Sequence, residues 1–192
     1  MKLDLLIFLI ILVSLPTYNS AGKIIQQPLY KTQKKDEKMY SMSKNLCKDC
    51  PEESVEILYL HNIVRAGKKE QPLQWDYKLE RYAKSWCNKR KDCKLIHSFP
   101  ENQFELGENI YYGYGDEYIT PLATMDYWAG EEQWYDYNSN TCQQGQQCDH
   151  YTQIVWKDTR RVGCAKAKCD NGDTFWTCNY DPVGNIQGQK PY

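Results

Sequence analysis

The chain has 192 residues, nine of them cysteine, with 24 basic against 25 acidic side chains and a net charge of −1. No basic excess is available to neutralise phosphates, so nucleic acid is not an expected partner. Without a 22-residue leader holding Lys2 and Asp4 the charge is unchanged, and the remaining ~170 residues suffice for one domain with its own core, while so many cysteines belong to an oxidising compartment.

Leu5 to Leu15 form an apolar run behind Lys2, followed by Pro16 and the small residues Ser20, Ala21 and Gly22, which predicts a secretory signal over residues 1–22 and a secreted, extracellular product. The run is too short to cross a bilayer and no other segment approaches that length, so no stable membrane span is expected. Asp4 is unusual in a leader and keeps an uncleaved anchor as the other reading. Residues 23–50 read as an extended N-terminal arm, since Lys31, Lys34, Lys35, Lys38 and Lys44 come with little apolar periodicity. Such an arm is either a solvated tail or a basic segment touching acidic lipid headgroups or a partner.

The domain proper is expected over residues 51–192. Pro51, Glu52 and Glu53 supply first-turn chemistry, and Val55, Leu58, Tyr59 and Asn62, with Ile57, Leu60 and Val64, recur at helical spacing up to Gly67 just beyond the end. Asp76 caps a second helix whose Leu79, Tyr82, Ala83 and Trp86 form one apolar face. A short strand is predicted around Asn109 to Tyr112. Thr120-Pro121 opens a third helix with Leu122, Met125, Trp128 and Glu131. Strands are predicted over Tyr151 to Trp156, Val162 to Lys168 and Thr174 to Tyr180, the last two joined at the hairpin signal Asn171-Gly172 and followed by a Pro182/Gly184 turn. The fold class is α+β, a three-layer α/β/α sandwich around a small, mainly antiparallel sheet.

Two segments carry more than secondary structure: Cys148-Asp149-His150-Tyr151-Thr152-Gln153-Ile154-Val155-Trp156, and Phe175-Trp176-Thr177-Cys178-Asn179-Tyr180-Asp181-Pro182-Val183-Gly184-Asn185-Ile186. They resemble the two signatures of the CAP superfamily, which takes in cysteine-rich secretory proteins, antigen 5, pathogenesis-related group 1 and venom-allergen-like proteins. The resemblance extends backward through Gly107-Glu108-Asn109-Ile110, Cys93-Lys94-Leu95-Ile96-His97-Ser98, and His61-Asn62 with Arg65. It implies the same three-layer sandwich, and disulfides Cys142–Cys148, Cys164–Cys178 and Cys93–Cys169. Cys47, Cys50 and Cys87 are left. A bridge from Cys87 to the Cys47/Cys50 pair would pin the N-terminal segment and leave one thiol, either buried or joined to a second chain. A redox role for Cys47-Lys48-Asp49-Cys50 is not expected, since no βαβ pattern surrounds it.

The resemblance also implies a cleft tetrad of His97, Glu108, Glu131 and His150, with Trp128 setting the register that picks Glu131 over Glu132. Two imidazoles and two carboxylates can neutralise a divalent cation, and zinc is the expected ion. The alternative is that the four residues hydrogen-bond across the cleft with water. The family is mostly non-enzymatic, and with no His-Glu-x-x-His helix, metal-dependent hydrolysis is a distant third reading. His61 reads as a packing residue. Tyr111, Tyr112, Tyr114 and Tyr118 crowd a glycine-rich stretch after Glu108, and amphipathic rings there can cover an apolar ligand or simply pack over a core. A sterol there, or a fatty acid between the first and third helices, is the implied ligand. The competing function is an extracellular scaffold or immune modulator engaging host or other extracellular proteins through its surface. No Asn-x-Ser/Thr acceptor is present, so N-glycosylation is not expected.

Overall fold

Asp36 accepts hydrogen bonds from the backbone N–H groups of Lys38 and Met39, and this cap starts helix α1, Glu37–Leu46. The structure, a computed structural model, describes residues 36–99, 106–115 and 119–192, together with the backbone of two short paired strands, β1 Thr17–Tyr18 and β2 Ile24–Ile25. The expected leader, the first part of the expected arm and Tyr118 otherwise lie outside the described residues. From Asp36 on, the arm is not extended. Its three- and four-residue spacing buries Tyr40, Ser43 and Cys47, with Met39 and Leu46 packed beside them. The Tyr40 ring meets Tyr59 edge-on at 5.4 Å, and the Tyr59 hydroxyl accepts from the Asp36 N–H.

Helix α2, Glu52–Gly67, carries the two acids in its first turn and ends on Gly67 itself. It is buried on nearly every side, which makes it the central helix: Val55, Ile57, Leu58, Leu60 and Val64 are buried together with the polar His61, Asn62 and Arg65. The Asn62 amide pairs with the backbone of Leu73 in both directions, which sets the path into β3, Gln74–Trp75. Asp76 then caps α3, Tyr77–Lys89, as expected. Its buried stripe is Leu79, Ala83 and Cys87, while Tyr82 faces outward and stacks on Phe99.

The sheet has strand order β3-β7-β8-β4, where β4 is Gly107–Gly113, β7 Arg161–Lys168 and β8 Thr174–Asp181. β4, β8 and β7 run antiparallel and β3 joins parallel to β7. Alternation along the strands splits the side chains between two faces. Ile110 and Phe175 turn to α3 with Cys87 and the Cys93–Cys169 bridge. Tyr111, Val162, Cys164, Trp176, Cys178 and Tyr180 turn to α2 and to α4, Pro121–Ala129, in the main core. A Cβ at Gly163 would overlap the backbone of Asp76 to Glu80, so a glycine lets α3 sit directly on β7. Helices cover both faces, and the three-layer sandwich is the observed fold.

After α4 the chain makes a 3-10 turn, Gly130–Trp134, and a small hairpin of β5, Tyr135–Asp136, with β6, Thr141–Cys142. The segment expected as a strand from Tyr151 to Trp156 is instead a short helix, α5, Asp149–Ile154. Its ends explain the change. The Glu131 carboxylate receives the first free N–H groups, and the Arg65 guanidinium takes the carbonyls of Ile154, Trp156 and Thr159. The β7–β8 connection runs through Cys169 to Asp173, longer than a two-residue turn, with Gly172 at φ +93°.

Four disulfides are present: Cys93–Cys169, Cys142–Cys148 and Cys164–Cys178, as the resemblance implies, and Cys47–Cys50. The expected link from Cys87 to the N-terminal pair is not made. Cys47 and Cys50 have Cα atoms 5.5 Å apart and join each other, while Cys87 is a buried free thiol beneath the sheet. No helix among the described residues is long and apolar enough to cross a membrane.

Candidate functional site

β4 is an edge strand, so side chains from both of its faces reach the space beside it. Glu108 belongs to the α3 side. Its Oε1 accepts from His97 Nδ1 at 2.9 Å and from the Ser98 N–H at 2.8 Å; its Oε2 accepts from the Ser98 hydroxyl and from Asn179 Nδ2 at 3.0 Å. Four donors fill the four lone-pair positions of one carboxylate. Burial would raise the Glu108 pKa, but these bonds from His97, Ser98 and Asn179 together outweigh it and hold the group below the ordinary glutamate value.

The second pair lies on the opposite face. Glu131 Oε1 meets His150 Nδ1 at 2.6 Å, and its Oε2 accepts the backbone N–H groups of His150 and Tyr151 at 3.0 and 3.1 Å. The His150 ring stacks on Trp128 at 6.1 Å and meets Tyr127 at 5.9 Å, and Trp128 is itself pinned by its indole N–H on the Ile110 carbonyl. Asn109, the inward neighbour of Glu108, donates from Nδ2 to the His150 carbonyl and to the Tyr180 hydroxyl, both at 3.1 Å. The Tyr180 hydroxyl lies 2.8 Å from His61 Nε2, and His61 Nδ1 lies 2.7 Å from the Ile57 carbonyl. Since a carbonyl only accepts, His61 carries its proton on Nδ1 and receives the tyrosine proton at Nε2. Full burial depresses the His61 pKa to about 4, which keeps the ring neutral. His61 is thus a core hydrogen-bonding residue, tied through Tyr180 and Asn109 to the backbone of His150.

A cleft of about 880 Å³ opens along β4. His97, Glu108 and His150 line it together with Tyr111, Tyr112, Tyr114 and Tyr127, while Glu131 is not among its lining residues. Tyr111 is buried in the wall with its ring 5.3 Å from Tyr127, and Tyr114 is exposed at the mouth. The four residues of the expected tetrad therefore appear as two His–Glu pairs whose imidazoles share one cleft. They do not form one ligand set. Among the described residues no group of three or more His, Cys, Asp or Glu side chains is placed to hold a metal ion, and the lone pairs of Glu108 are already engaged. As arranged, the residues do not fit a zinc centre that uses all four.

Sequence reasoning did not single out Ser98, Asn109, Tyr127 or Asn179. Ser98 follows His97 directly, and Asn109 and Asn179 lie inside the quoted motifs, so the signal for them is adjacency to a named residue rather than spacing. The groove between the first and third helices, α2 and α4, is part of the main core, with Leu58, Met125 and Trp128 buried in it.

The profile of the cysteine-rich secretory protein family, CAP, matches residues 58–180. Pathogenesis-related protein 1B of Nicotiana tabacum is 46% identical over 133 residues, covering 69% of this chain and 76% of its own length. Pathogenesis-related protein 1 of Arabidopsis thaliana is 43% identical, with coverage of 69% and 78%. Among solved structures, Schistosoma mansoni venom allergen-like protein 4 superposes with a TM-score of 0.62 at 24% identity, over 74% of this chain and 95% of that one. NaASP2, solved with Zn2+, gives 0.59 at 25% identity, over 76% and 87%.

Proposed function

This chain belongs to the cysteine-rich secretory protein family, CAP, and from that premise we propose that it is a secreted, non-catalytic carrier that takes a sterol or a fatty acid into the cleft along β4. The observation that carries this reading is the two-part lining of the cleft. Its volume of about 880 Å³ lies within the range of about 300–1,000 Å³ usual for small-molecule sites. Tyr111, Tyr112, Tyr114 and Tyr127, with Leu95 and Ile186, offer apolar surface, and the two His–Glu pairs give a polar end. Ser98 gives its hydroxyl proton to Glu108 rather than to an imidazole, so its contacts do not assemble a nucleophile–base–carboxylate relay. Four disulfides suit an oxidising, extracellular setting.

Organic extraction of the folded protein, followed by uptake of labelled cholesterol and palmitate, tests the carrier reading. Saturable uptake is expected, weakened about tenfold when the exposed rings are removed in Tyr114→Ala and Tyr127→Ala. An empty extract together with no saturable uptake refutes it and leaves the alternative, a surface that engages other extracellular proteins.

A second reading, zinc, is favoured by the likeness to NaASP2, whose structure was solved with Zn2+. Both imidazoles line the cleft, but the carboxylates are occupied as described, so the two rings alone would be left to hold the ion. Thermal unfolding with added zinc tests this reading. A rise in Tm that disappears in both His97→Ala and His150→Ala supports it, and an unchanged Tm in the parent protein refutes it.

A further inference from the structure

We propose that the cleft selects its lipid by headgroup, the Nε2 atoms of His97 and His150 acting as hydrogen-bond acceptors for the hydroxyl of a neutral lipid alcohol and disfavouring a carboxylate. This rests on the carrier reading and narrows its ligand. Each imidazole turns Nδ1 to a glutamate, at 2.9 Å for His97 and 2.6 Å for His150. An ionised carboxylate can only accept, so an imidazole with a single proton that faces one carries it on Nδ1 and leaves a lone pair on Nε2.

The glutamates are positioning residues. Glu108 is held ionised by its four donors, and the Glu131 carboxylate is fixed in place by the backbone N–H groups of His150 and Tyr151 besides the imidazole. Neither Nε2 has a partner among the described residues, and both rings line the cleft. His97 stands at the open side with 47% of its side chain exposed, and His150 stands deeper with 15% exposed.

Charge acts in the same direction. The described lining includes Glu108 and Asp149 and contains no Lys or Arg. An anionic headgroup therefore meets like charge with no cation to offset its desolvation, although the phenols and amides of the lining can still donate to it. An alcohol meets acceptors for its proton and carries no charge into the cleft. The apolar wall built by Tyr111 and Tyr127 is indifferent to this choice, so discrimination falls to the polar end.

The test uses one hydrocarbon chain with three ends. Binding of 1-hexadecanol, 1-methoxyhexadecane and palmitate to the full protein is compared at pH 8, above the range in which a free imidazole takes up a second proton. Cholesterol and its 3-methyl ether form a parallel pair. The alcohols are expected to bind about tenfold tighter than the ethers and palmitate. His97→Phe and His150→Phe, checked for native circular dichroism, are expected to bring the alcohol down to the level of the ether. Equal binding of all three ends, or an alcohol preference unchanged in both variants, overturns the headgroup proposal while the carrier reading stands. Tighter binding of palmitate overturns it too, because the polar end would then favour an anion over a hydroxyl. If no lipid binds, both readings fall.

Discussion

His61 and His150 are joined through the Tyr180 hydroxyl and the Asn109 amide, yet burial gives them different work. His61 has no access to solvent and is held neutral, with its pKa lowered to about 4 from an ordinary 6.5. The unfolded chain therefore binds a proton between those two pH values that the folded chain refuses. Stability is full above pH 6.5 and falls by ~1.4 kcal/mol per unit as the pH drops toward 4. Urea unfolding across this window is expected to show that slope, and His61→Phe to lose it, together with about 1–3 kcal/mol at pH 7 for the stranded Tyr180 hydroxyl. Glu108 acts lower on the scale. Its folded pKa is depressed, so its contribution is present above the ordinary glutamate value and disappears only as the pH falls through the folded one. Cys87 gives a second prediction. Burial raises its thiol to about 12, so a thiol reagent is expected to find no reactive group in the native monomer and one per chain after denaturation without reductant. At this scale the sequence discloses His61 as a packing residue and the three family bridges, but not the short Cys47–Cys50 link. Two cysteines three residues apart can close on each other or on a distant partner, and only the docking of α1 decides.

Helices α2, α3 and α4 and the strands β4, β7 and β8 are legible from periodicity and caps because their signals are local. α5 and α1 are not. The run Tyr151 to Trp156 reads as a strand because its aromatic and β-branched residues have that propensity. It becomes helical because Glu131, nineteen residues before His150, and Arg65, 89 residues before Ile154, bind its two ends. α1 is concealed by its lysines, and its buried face forms only against α2. Arg65 gives this argument a test. Its guanidinium is fully buried and bonds four backbone carbonyls, including that of Gln71, and burial lowers its pKa to about 10, which leaves it charged at neutral pH. Arg65→Met is expected to cost about 3 kcal/mol or more by stranding those carbonyls, and to speed tryptic cleavage at Lys157 and Arg160 in the α5–β7 loop, which holds the Trp156 and Thr159 carbonyls. Denaturant midpoints and a timed digest check both effects.

Across the whole molecule the cleft exists because a four-stranded sheet ends at β4 and the layers on its two faces each bring a histidine to that edge. The sandwich was foreseeable from element order, while motif resemblance named His97, Glu108, Glu131 and His150 as candidates without their arrangement. Their separation into two pairs was not legible, since Glu108 leaves β4 toward the α3 layer while Glu131 and His150 meet on the other side, a placement made by tertiary packing rather than by motif order. The Cys93–Cys169 bridge spans 76 residues and ties the segment holding His97 to the far end of the hairpin. Loop-closure entropy for such a span is about 4 kcal/mol, so Cys93→Ser with Cys169→Ser is expected to lower stability by roughly that amount and to weaken lipid uptake by loosening His97. Calorimetry and the uptake assay measure the two losses separately.

An odd thiol is a hazard while a disulfide-forming chain oxidises, because any thiolate can attack a finished sulphur bridge and reshuffle it. In this protein that attacker removes itself. As α3 closes over β7 and β8, Cys87 is sealed between helix and sheet, with its Sγ 3.3 Å from the Ala165 carbonyl. A chain whose layers had not closed would keep that nucleophile within reach of its bridges, whereas the closed sandwich withdraws it.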